Sequence, residues 1–166
     1  MPVRILVSDF AGNAFMPTSD GTTITLPDLG NYSLPSGLNL YINDSAVGLG
    51  NVSLGQVESA SGAFYLYTPG AVAQRTGKHA AMSGKNFSIY ADGALSLNDV
   101  SSGNTSLYSY DGALTVGTVT TTSSFYGRGD LGISTGIINA GGYVQLEAYG
   151  GTLNVGNLTS TSSVYL

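Results

Sequence analysis

A short pattern of apolar and polar positions repeats along the second half of the chain. After a glycine, apolar residues stand two, four and seven places further on, and small or polar residues separate them. Three copies keep these offsets, beginning at Gly93 (GALSLNDV), Gly112 (GALTVGTV) and Gly151 (GTLNVGNL). Their apolar residues are Leu95, Leu97 and Val100; Leu114, Val116 and Val119; and Leu153, Val155 and Leu158. Apolar residues that alternate with polar ones predict short strands.

Three other copies are less regular. The copy at Gly129 (GDLGISTGI) offers Leu131, Ile133 and Ile137, the last one residue late. An earlier copy begins at Ser45 (SAVGLGNV), and a degenerate one follows Gly70 (GAVAQ). The apolar residues of the Ser45 copy are Val47, Leu49 and Val52. Successive starting positions are 17 to 25 residues apart.

A second short strand precedes the turn at which each of these copies begins. In NFSIYADG, Phe87 and Ile89 alternate with polar residues, and Val144 and Leu146 do the same in YVQLEAYGG. A unit of this length with two or three short strands has the size of one β-solenoid coil. Stacked coils bury the apolar residues in a continuous inner column, and glycine is expected at the corner because it tolerates positive φ. We therefore predict an all-β fold, a parallel β-helix (β-solenoid) of about six coils.

A β-sandwich is the main alternative, because it also contains many short strands with frequent turns. It does not explain why the offsets of two, four and seven recur. The repeat therefore favours the solenoid.

Residues 1–36 do not follow the repeat and predict an irregular N-terminal cap or docking segment, since a solenoid end needs a cover. Residues 37–166 form the predicted solenoid. A basic loop at 71–85 (AVAQRTGKHAAMSGK) is expected to replace the third face of one coil. It is interpreted either as a solvated loop or as a partner-binding loop for an acidic neighbour, a glycan or a phosphate. Its charged or titratable residues are Arg75, Lys78, His79 and Lys85.

The last residues, TSTSSVYL, predict a strand that opens a further coil. An uncovered strand edge invites pairing with another chain. Val164, Tyr165 and Leu166 are therefore the predicted assembly interface, covered either by another subunit or by the strand folding back. The first option implies a homo-oligomer or filament.

The segment 84–166, with GALSL, GALTV and GGTLNVG, resembles the repeats of filamentous-haemagglutinin-type adhesins, which are right-handed parallel β-helices; residues 38–83 resemble them loosely. The chain departs from that family because it is short and shows no secretion domain at its N-terminus. The same style of repeat occurs in phage tail fibres, spikes and capsid-decorating proteins. Those proteins begin at Met without a signal peptide, and from its first residues we expect the same of this chain. The resemblance implies a structural or adhesive protein.

Composition narrows the classes of partner. Charged residues make up 9% of the chain, against roughly 25% in an ordinary soluble protein. The formal net charge is −5, so nucleic acid is not an expected partner, since binding it needs a basic surface. No apolar run reaches the length of about 20 residues that spans a bilayer. The sequence has no Cys, which excludes disulfides.

The sequence offers little for catalysis. His79 is the only histidine, and no metal-binding or cofactor-binding motif is recognised, so no cofactor is expected. Asp92 and Asp111 precede corner glycines and are predicted to stack, either as ordinary turn residues or as ligands for Ca²⁺ or a sugar. Asp130 and Glu147 fall at other offsets. A polysaccharide-degrading β-helix enzyme, a further alternative, needs two converging carboxylates.

Two further motifs carry only weak information. Arg128, Gly129 and Asp130 match the tripeptide that integrin ligands display, and they form a candidate adhesion motif. Gly129 is also the predicted corner glycine of its coil. Threonine-rich stretches such as TVTTTSS are similar to ice-binding faces, but the coils at Val100 and Ile137 lack the regular Thr-x-Thr.

These observations predict a non-enzymatic structural protein at the surface of a larger multi-subunit assembly. A capsid-decoration, fibre or spike protein on a virion surface is the first expectation, and an extracellular or cell-surface adhesin or self-stacking fibre is the alternative. Expected partners are copies of the chain, other structural proteins of the assembly and a surface glycan.

Overall fold

A computed structural model describes residues 4–8, 18–19, 23–29, 38–43, 50–60 and 62–166, and within these ranges the chain forms strands and turns without a helix. The strands are β1 (Arg4–Ser8), β2 (Thr18–Ser19), β3 (Thr23–Thr25), β4 (Leu38–Asn43), β5 (Asn51–Leu54), β6 (Val57–Glu58), β7 (Phe64–Thr68), β8 (Val72–Gln74), β9 (His79–Ala81), β10 (Phe87–Ala91), β11 (Leu95–Leu97), β12 (Asp99–Ser102), β13 (Thr105–Ser109), β14 (Leu114–Val116), β15 (Val119–Thr121), β16 (Phe125–Gly129), β17 (Ile133–Thr135), β18 (Ile138–Ala140), β19 (Val144–Ala148), β20 (Leu153–Val155), β21 (Leu158–Ser160) and β22 (Val164–Tyr165).

The strands form three sheets that run the length of the solenoid. Sheet A has the order β1-β4-β7-β10-β13-β16-β19-β22, and sheet B has the order β2-β3-β5-β8-β11-β14-β17-β20. Sheet C has the order β21-β18-β15-β12-β9-β6. From β4 onward each coil gives one strand to each sheet, and successive coils pair in parallel. The predicted parallel β-helix of about six coils is therefore confirmed.

Antiparallel pairing joins β1 to β4 and β2 to β3, and every other pair of described strands is parallel. Strand β3 already runs parallel to β5, and Leu29 bridges to Val57. Part of the segment 1–36 thus stacks on the first coils. Its role as a cap stays a prediction.

Alternation along each strand builds the core, because every second side chain points into the solenoid. In sheet A, Phe64 and Phe87 are fully buried neighbours, and their rings stack with centroids 5.2 Å apart. Full burial of an aromatic or aliphatic side chain contributes about 1.5–3 kcal/mol. The predicted inner residues are confirmed as buried in the coils beginning at Gly93 and Gly112, and they are half-buried in the last coil.

The apolar residues of the third copy were predicted in the wrong register. Ile133 pairs with Leu114, and Ile138 pairs with Val119, so these two residues point inward. Leu131 and Ile137, two of the three predicted inner residues, are instead 64% and 44% exposed. The error arises because Leu131, not Gly129, takes the corner position that Gly112 holds in the coil before.

The copy placed at Ser45 was also wrong in register. Val52 pairs with Val72, so it is the first inner residue of its coil and not the third. The anchor is Gly50, which Val52, Leu54 and Val57 follow at two, four and seven residues. Val47 and Leu49 lie outside the described residues.

Gly50 has the predicted positive φ, at 117°, but the other corner glycines recur for a different reason. Gly70, Gly93, Gly112 and Gly151 do not have positive φ. The backbone of the coil before approaches each of them so closely that a side chain would collide with it. A Cβ on Gly112, for example, would lie 2.5 Å from Cα of Ala94. Tight stacking of coils therefore explains these glycines.

The segment 71–85 is not one loop, which corrects the expectation. It contains β8 and β9, which continue sheets B and C in parallel register. Ala80 pairs with both Val57 and Val100 and is buried between them. The third face of this coil is therefore present, and only the turns on either side of β9 remain as loops.

Candidate functional site: the tyrosine face of sheet A

The three outer faces of the solenoid differ in chemistry. On sheets B and C the outward residues of successive strands are small or polar. The uncharged ones are Ser53, Ala73, Ser96, Thr115, Ser134 and Asn154 on sheet B, and Ala81, Ser101, Thr120, Asn139 and Thr159 on sheet C. The first strands of sheet C also carry Glu58, His79 and Asp99 on the outside. These side chains leave two comparatively even surfaces.

Sheet A concentrates the tyrosines of the chain. The sequence has 11 Tyr, and those of β7 to β22, with those in the adjoining turns, all lie on or beside the outer surface of this sheet. We call these residues, together with Arg128, Gln145 and Glu147, the tyrosine face. Its tyrosines are Tyr65, Tyr67, Tyr90, Tyr108, Tyr110, Tyr126, Tyr143, Tyr149 and Tyr165.

Four of these rings, those of Tyr65, Tyr90, Tyr108 and Tyr110, form a stack along the solenoid axis. Tyr67, Tyr90 and Tyr108 hold equivalent positions on β7, β10 and β13. The rings of Tyr90 and Tyr108 are 4.8 Å apart and nearly parallel, at an interplanar angle of 7°. Tyr65 extends the stack at 5.2 Å from Tyr90, and Tyr110 extends it at 6.0 Å from Tyr108. Each such pair contributes about 0.5–1.5 kcal/mol beyond its buried area.

Arg128 continues the stack toward the last coil. Its guanidinium lies 5.1 Å from the ring centroid of Tyr110 and 4.6 Å from that of Tyr149. The same group donates two hydrogen bonds to the Asp130 carboxylate, at 2.7 and 3.1 Å. A planar guanidinium can stack on rings and bind a carboxylate at the same time, which an ammonium group cannot do equally well. Arg128 is therefore held from three sides.

Carboxylates and an amide hold the remaining rings of the face. The Tyr149 hydroxyl donates to Glu147 at 2.9 Å, and Gln145 donates to the same carboxylate at 2.6 Å. The Tyr67 hydroxyl donates to Asp92 at 3.4 Å. Tyr126 meets Tyr143 edge to face, with centroids 4.9 Å apart. The face thus combines ring surface with fixed hydrogen-bonding groups.

Four tyrosines of the face, Tyr67, Tyr90, Tyr108 and Tyr149, have a raised pKa and are neutral at physiological pH. Burial raises the pKa of Tyr67, Tyr90 and Tyr108 above the usual value for a phenol, and the nearby Asp92 raises the pKa of Tyr67 further. The hydrogen bond to Glu147 raises the pKa of Tyr149. Each of these phenols is therefore a donor as well as an acceptor of hydrogen bonds.

The candidate adhesion motif lies within this face. Its two charged groups bind each other, so Asp130 raises the pKa of Arg128 and Arg128 lowers the pKa of Asp130. Gly129 is buried, pairs with Ser109 and ends β16, so it is not the predicted corner glycine. The tripeptide therefore does not project as a free loop, and integrin-type adhesion stays a prediction without support from this geometry.

The predicted partner-binding residues are mostly engaged within the chain. Arg75 and Lys78 bind the two oxygens of Asp28 at 2.9 and 2.6 Å, and Arg75 also donates to the Leu26 carbonyl. These contacts, with the Lys78 hydrogen bond first, lower the pKa of Asp28 to about 2. His79 lies 3.3 Å from Glu58, and Lys85 is exposed in the turn before β10.

Three of the four basic-loop residues thus face an acidic partner in the same chain. Asp28 belongs to the segment 23–29, and Arg75 and Lys78 lie between β8 and β9, so these ion pairs tie that segment to the coil beyond the intervening coil of β5 and β6. A role for the four residues in binding a partner stays a prediction.

The acidic corner between sheets A and B extends further than predicted. The Asp111 amide donates to the Asp92 carbonyl at 2.7 Å, so these two residues do lie on adjacent coils at one corner. Asp130 lies at the same corner of the next coil, where its amide donates to Ser109, contrary to the expected offset. Glu147 lies on the tyrosine face. Within the described ranges no group of three His, Cys, Asp or Glu side chains is placed to bind a metal ion.

The predicted assembly interface is exposed. Val164, Tyr165 and Leu166 are 40%, 59% and 72% exposed, and β22 pairs on one side only, with β19. Leu153, Val155 and Leu158 beside them are only partly buried. Coverage of these residues by another subunit stays a prediction. No helix that could span a membrane occurs in the part of the chain that the structure describes.

Comparison with family models, with curated proteins and with solved structures finds no match to this chain. The solenoid fold therefore rests on the structure, and the likeness of the repeats to haemagglutinin-type and phage proteins stays a resemblance.

The tyrosine face was not predicted, although the sequence contained a signal. In YLYTPG and SIYADG a tyrosine stands three residues before the corner glycine, and LYSYDG has two tyrosines near that place. Reading the polar positions of the repeat as carefully as the apolar ones would have placed these rings in one column.

Proposed function

We propose that this chain is a non-enzymatic structural protein that displays the tyrosine face as a recognition surface within a larger multi-subunit assembly. The observation that carries the proposal is the restriction of the described tyrosines to one of three outer faces. Sheets B and C pair equally well with Ser, Thr, Ala and Asn outside, so the fold does not require these rings. Tyrosine and arginine are enriched in binding surfaces because their large groups gain contact area with little loss of entropy.

The exposed residues at the last coil support the assembly part of the proposal. Leu153, Val155 and Leu158 belong to the same inner columns that Leu114, Val116 and Val119 fill, but they are less covered. A further coil placed on them would bury these side chains and pair the free edges of β20, β21 and β22. We propose that a copy of this chain or another structural subunit supplies that coil.

A virion surface component, such as a capsid-decoration, fibre or spike protein, remains our first proposal for the type of assembly. The resemblance of the repeats supports it. The alternative is an extracellular adhesin or self-stacking fibre, which the regular parallel register and the free strand edges favour. A polysaccharide-degrading enzyme ranks below both, because Asp92 and Asp130 each already bind a side chain of the chain itself.

The experiment is the mass of the 166-residue chain by light scattering over a concentration series, with electron micrographs of the same samples. A discrete oligomer supports the decoration or spike class, and filaments support the self-stacking fibre. Tyr165→Asp should weaken either association, whereas Ser134→Asp, on the outer face of sheet B, should not. A monomer at every concentration would contradict assembly through the last coil.

The type of assembly needs a separate test. Immunogold labelling with an antibody against this chain should mark virion surfaces if our first proposal holds. Label on the outside of cells, with virions unlabelled, would replace it with the adhesin.

A further inference from the structure

We propose that the tyrosine face binds a neutral glycan chain that lies along the solenoid axis. This inference deepens the proposed function and rests on it, since it names the class of ligand that the displayed face recognises. Repetition, chemistry and charge each support it.

Repetition is the first argument. Tyr67, Tyr90 and Tyr108 offer the same group at the same position on adjacent strands, and adjacent strands lie about 4.8 Å apart. The face from β7 to β19 covers four such spacings, roughly 19 Å. An extended glycan presents one sugar ring after another at a spacing similar to that between strands. Successive rings of such a polymer can therefore make equivalent contacts with successive coils.

The chemistry of the outer positions is the second argument. The outward residues of β7, β10, β13, β16 and β19 include no aliphatic side chain. They are Tyr65, Tyr67, Ser88, Tyr90, Ser106, Tyr108, Tyr126, Arg128, Gln145 and Glu147. Sugars carry hydroxyls beside C–H surface, and phenols, hydroxyls, an amide and a carboxylate match both features.

Charge is the third argument, and it selects neutral glycans over acidic ones. Arg128 is the one cation among the outward residues of these five strands, and Asp130 neutralises it. Glu147 lies on the face, and Asp92 and Asp111 lie at its corner. The surface is therefore net negative and repels sulfated or phosphorylated glycans. A neutral glycan meets no such penalty.

The experiment uses tyrosine fluorescence as its readout. The chain has no Trp, so its emission comes from tyrosine, and most tyrosines lie on this face. The 166-residue chain is first screened on an array of neutral oligosaccharides of hexoses and N-acetylhexosamines, with a heparin hexasaccharide as the acidic comparison. Neutral oligosaccharides that bind are then titrated in solution. We expect a neutral oligosaccharide to bind and change the emission, and heparin to bind more weakly or not at all.

Two variants locate the binding site. Tyr108→Ser places at the centre of the stack a residue that neighbouring outer positions already carry. Tyr149→Ser removes a ring that is 65% exposed. Each should weaken glycan binding by roughly tenfold. The matched control is Thr120→Ser on sheet C, which should leave binding unchanged.

Several outcomes would overturn the inference. The first is that no neutral oligosaccharide binds the chain. The second is that heparin binds more tightly than the neutral oligosaccharides. The third is that both tyrosine variants bind the neutral oligosaccharide as well as the unsubstituted chain does. Assembly is measured separately by light scattering, so an unsubstituted chain that assembles but binds no neutral glycan rejects this inference and leaves the proposed structural role standing.

Discussion

Thr135 stands in the inner column of sheet B, where the neighbouring coils carry valine. It pairs with Val116 on one side and Val155 on the other, and only 8% of its surface is exposed. Its hydroxyl is buried without a hydrogen-bond partner. Valine has almost the same shape and lacks the hydroxyl, so Thr135→Val should stabilise the fold.

The magnitude follows from the cost of an unsatisfied polar group. Burying such a group costs about 1–3 kcal/mol. Thr135 lies between two valines, and its coil adjoins the exposed last coil, so we use the low end of this range. We expect a gain of about 1 kcal/mol, which raises the melting temperature by about 2–4 °C in a domain of this size. Thermal unfolding followed by far-UV circular dichroism measures this change.

A matched substitution tests whether the hydroxyl is responsible. Thr105 is also buried, but its hydroxyl lies 2.7 Å from that of Ser102. Thr105→Val therefore leaves the Ser102 hydroxyl without a partner and should cost about 1–2 kcal/mol. Equal effects of the two substitutions, or a lower melting temperature for Thr135→Val, would refute the reasoning.

Three further predictions concern packing and charge. Gly112→Ala should destabilise the fold by about 1–3 kcal/mol in urea unfolding, because the new methyl meets the Ala94 backbone. Gly150→Ala, whose methyl would meet a single carbonyl, should cost less. Equal costs of the two substitutions would argue against close stacking of the coils. Phe87→Ala should cost about 3–5 kcal/mol in the same assay through the cavity it leaves in the inner column, and a cost below 1 kcal/mol would contradict this packing. Asp28→Asn should cost no more than about 1 kcal/mol at pH 7, since the ion pairs are partly exposed. The folded-state pKa of Asp28 is depressed to about 2, so its stabilisation is present above about pH 4 and declines as the pH falls through 2. A difference from wild type that is as large at pH 2 as at pH 7 would disprove this assignment.

The sequence predicted the class of fold because coil stacking repeats the same requirement in every coil. Leu95, Leu97 and Val100 satisfy that requirement at fixed offsets, and so do their equivalents after Gly112. The prediction failed where a coil departs from the rule. Leu131 replaces a corner glycine, and alignment on Gly129 therefore shifted the register.

The candidate site was harder to predict than the fold. Arg128 and Asp130 attracted attention as part of a familiar tripeptide, and Arg75 and Lys78 as part of a basic run. In the structure Arg128 and Asp130 bind each other. Arg75 and Lys78 both bind Asp28, which lies about fifty residues earlier in the sequence. A motif search cannot detect such pairing, because it depends on which coils are neighbours.

The sequence by itself determined the parallel solenoid, since the spacing of its apolar residues is satisfied only when each coil covers the next. Only the tertiary structure decided what the outer surfaces present. Tyr67, Tyr90 and Tyr108 are about twenty residues apart along the chain, and parallel register brings them to one strand spacing from each other. Inner positions are constrained by burial in every coil, and burial leaves a pattern in the sequence. Outer positions are free to vary, so their grouping into one face appears only when the coils are stacked.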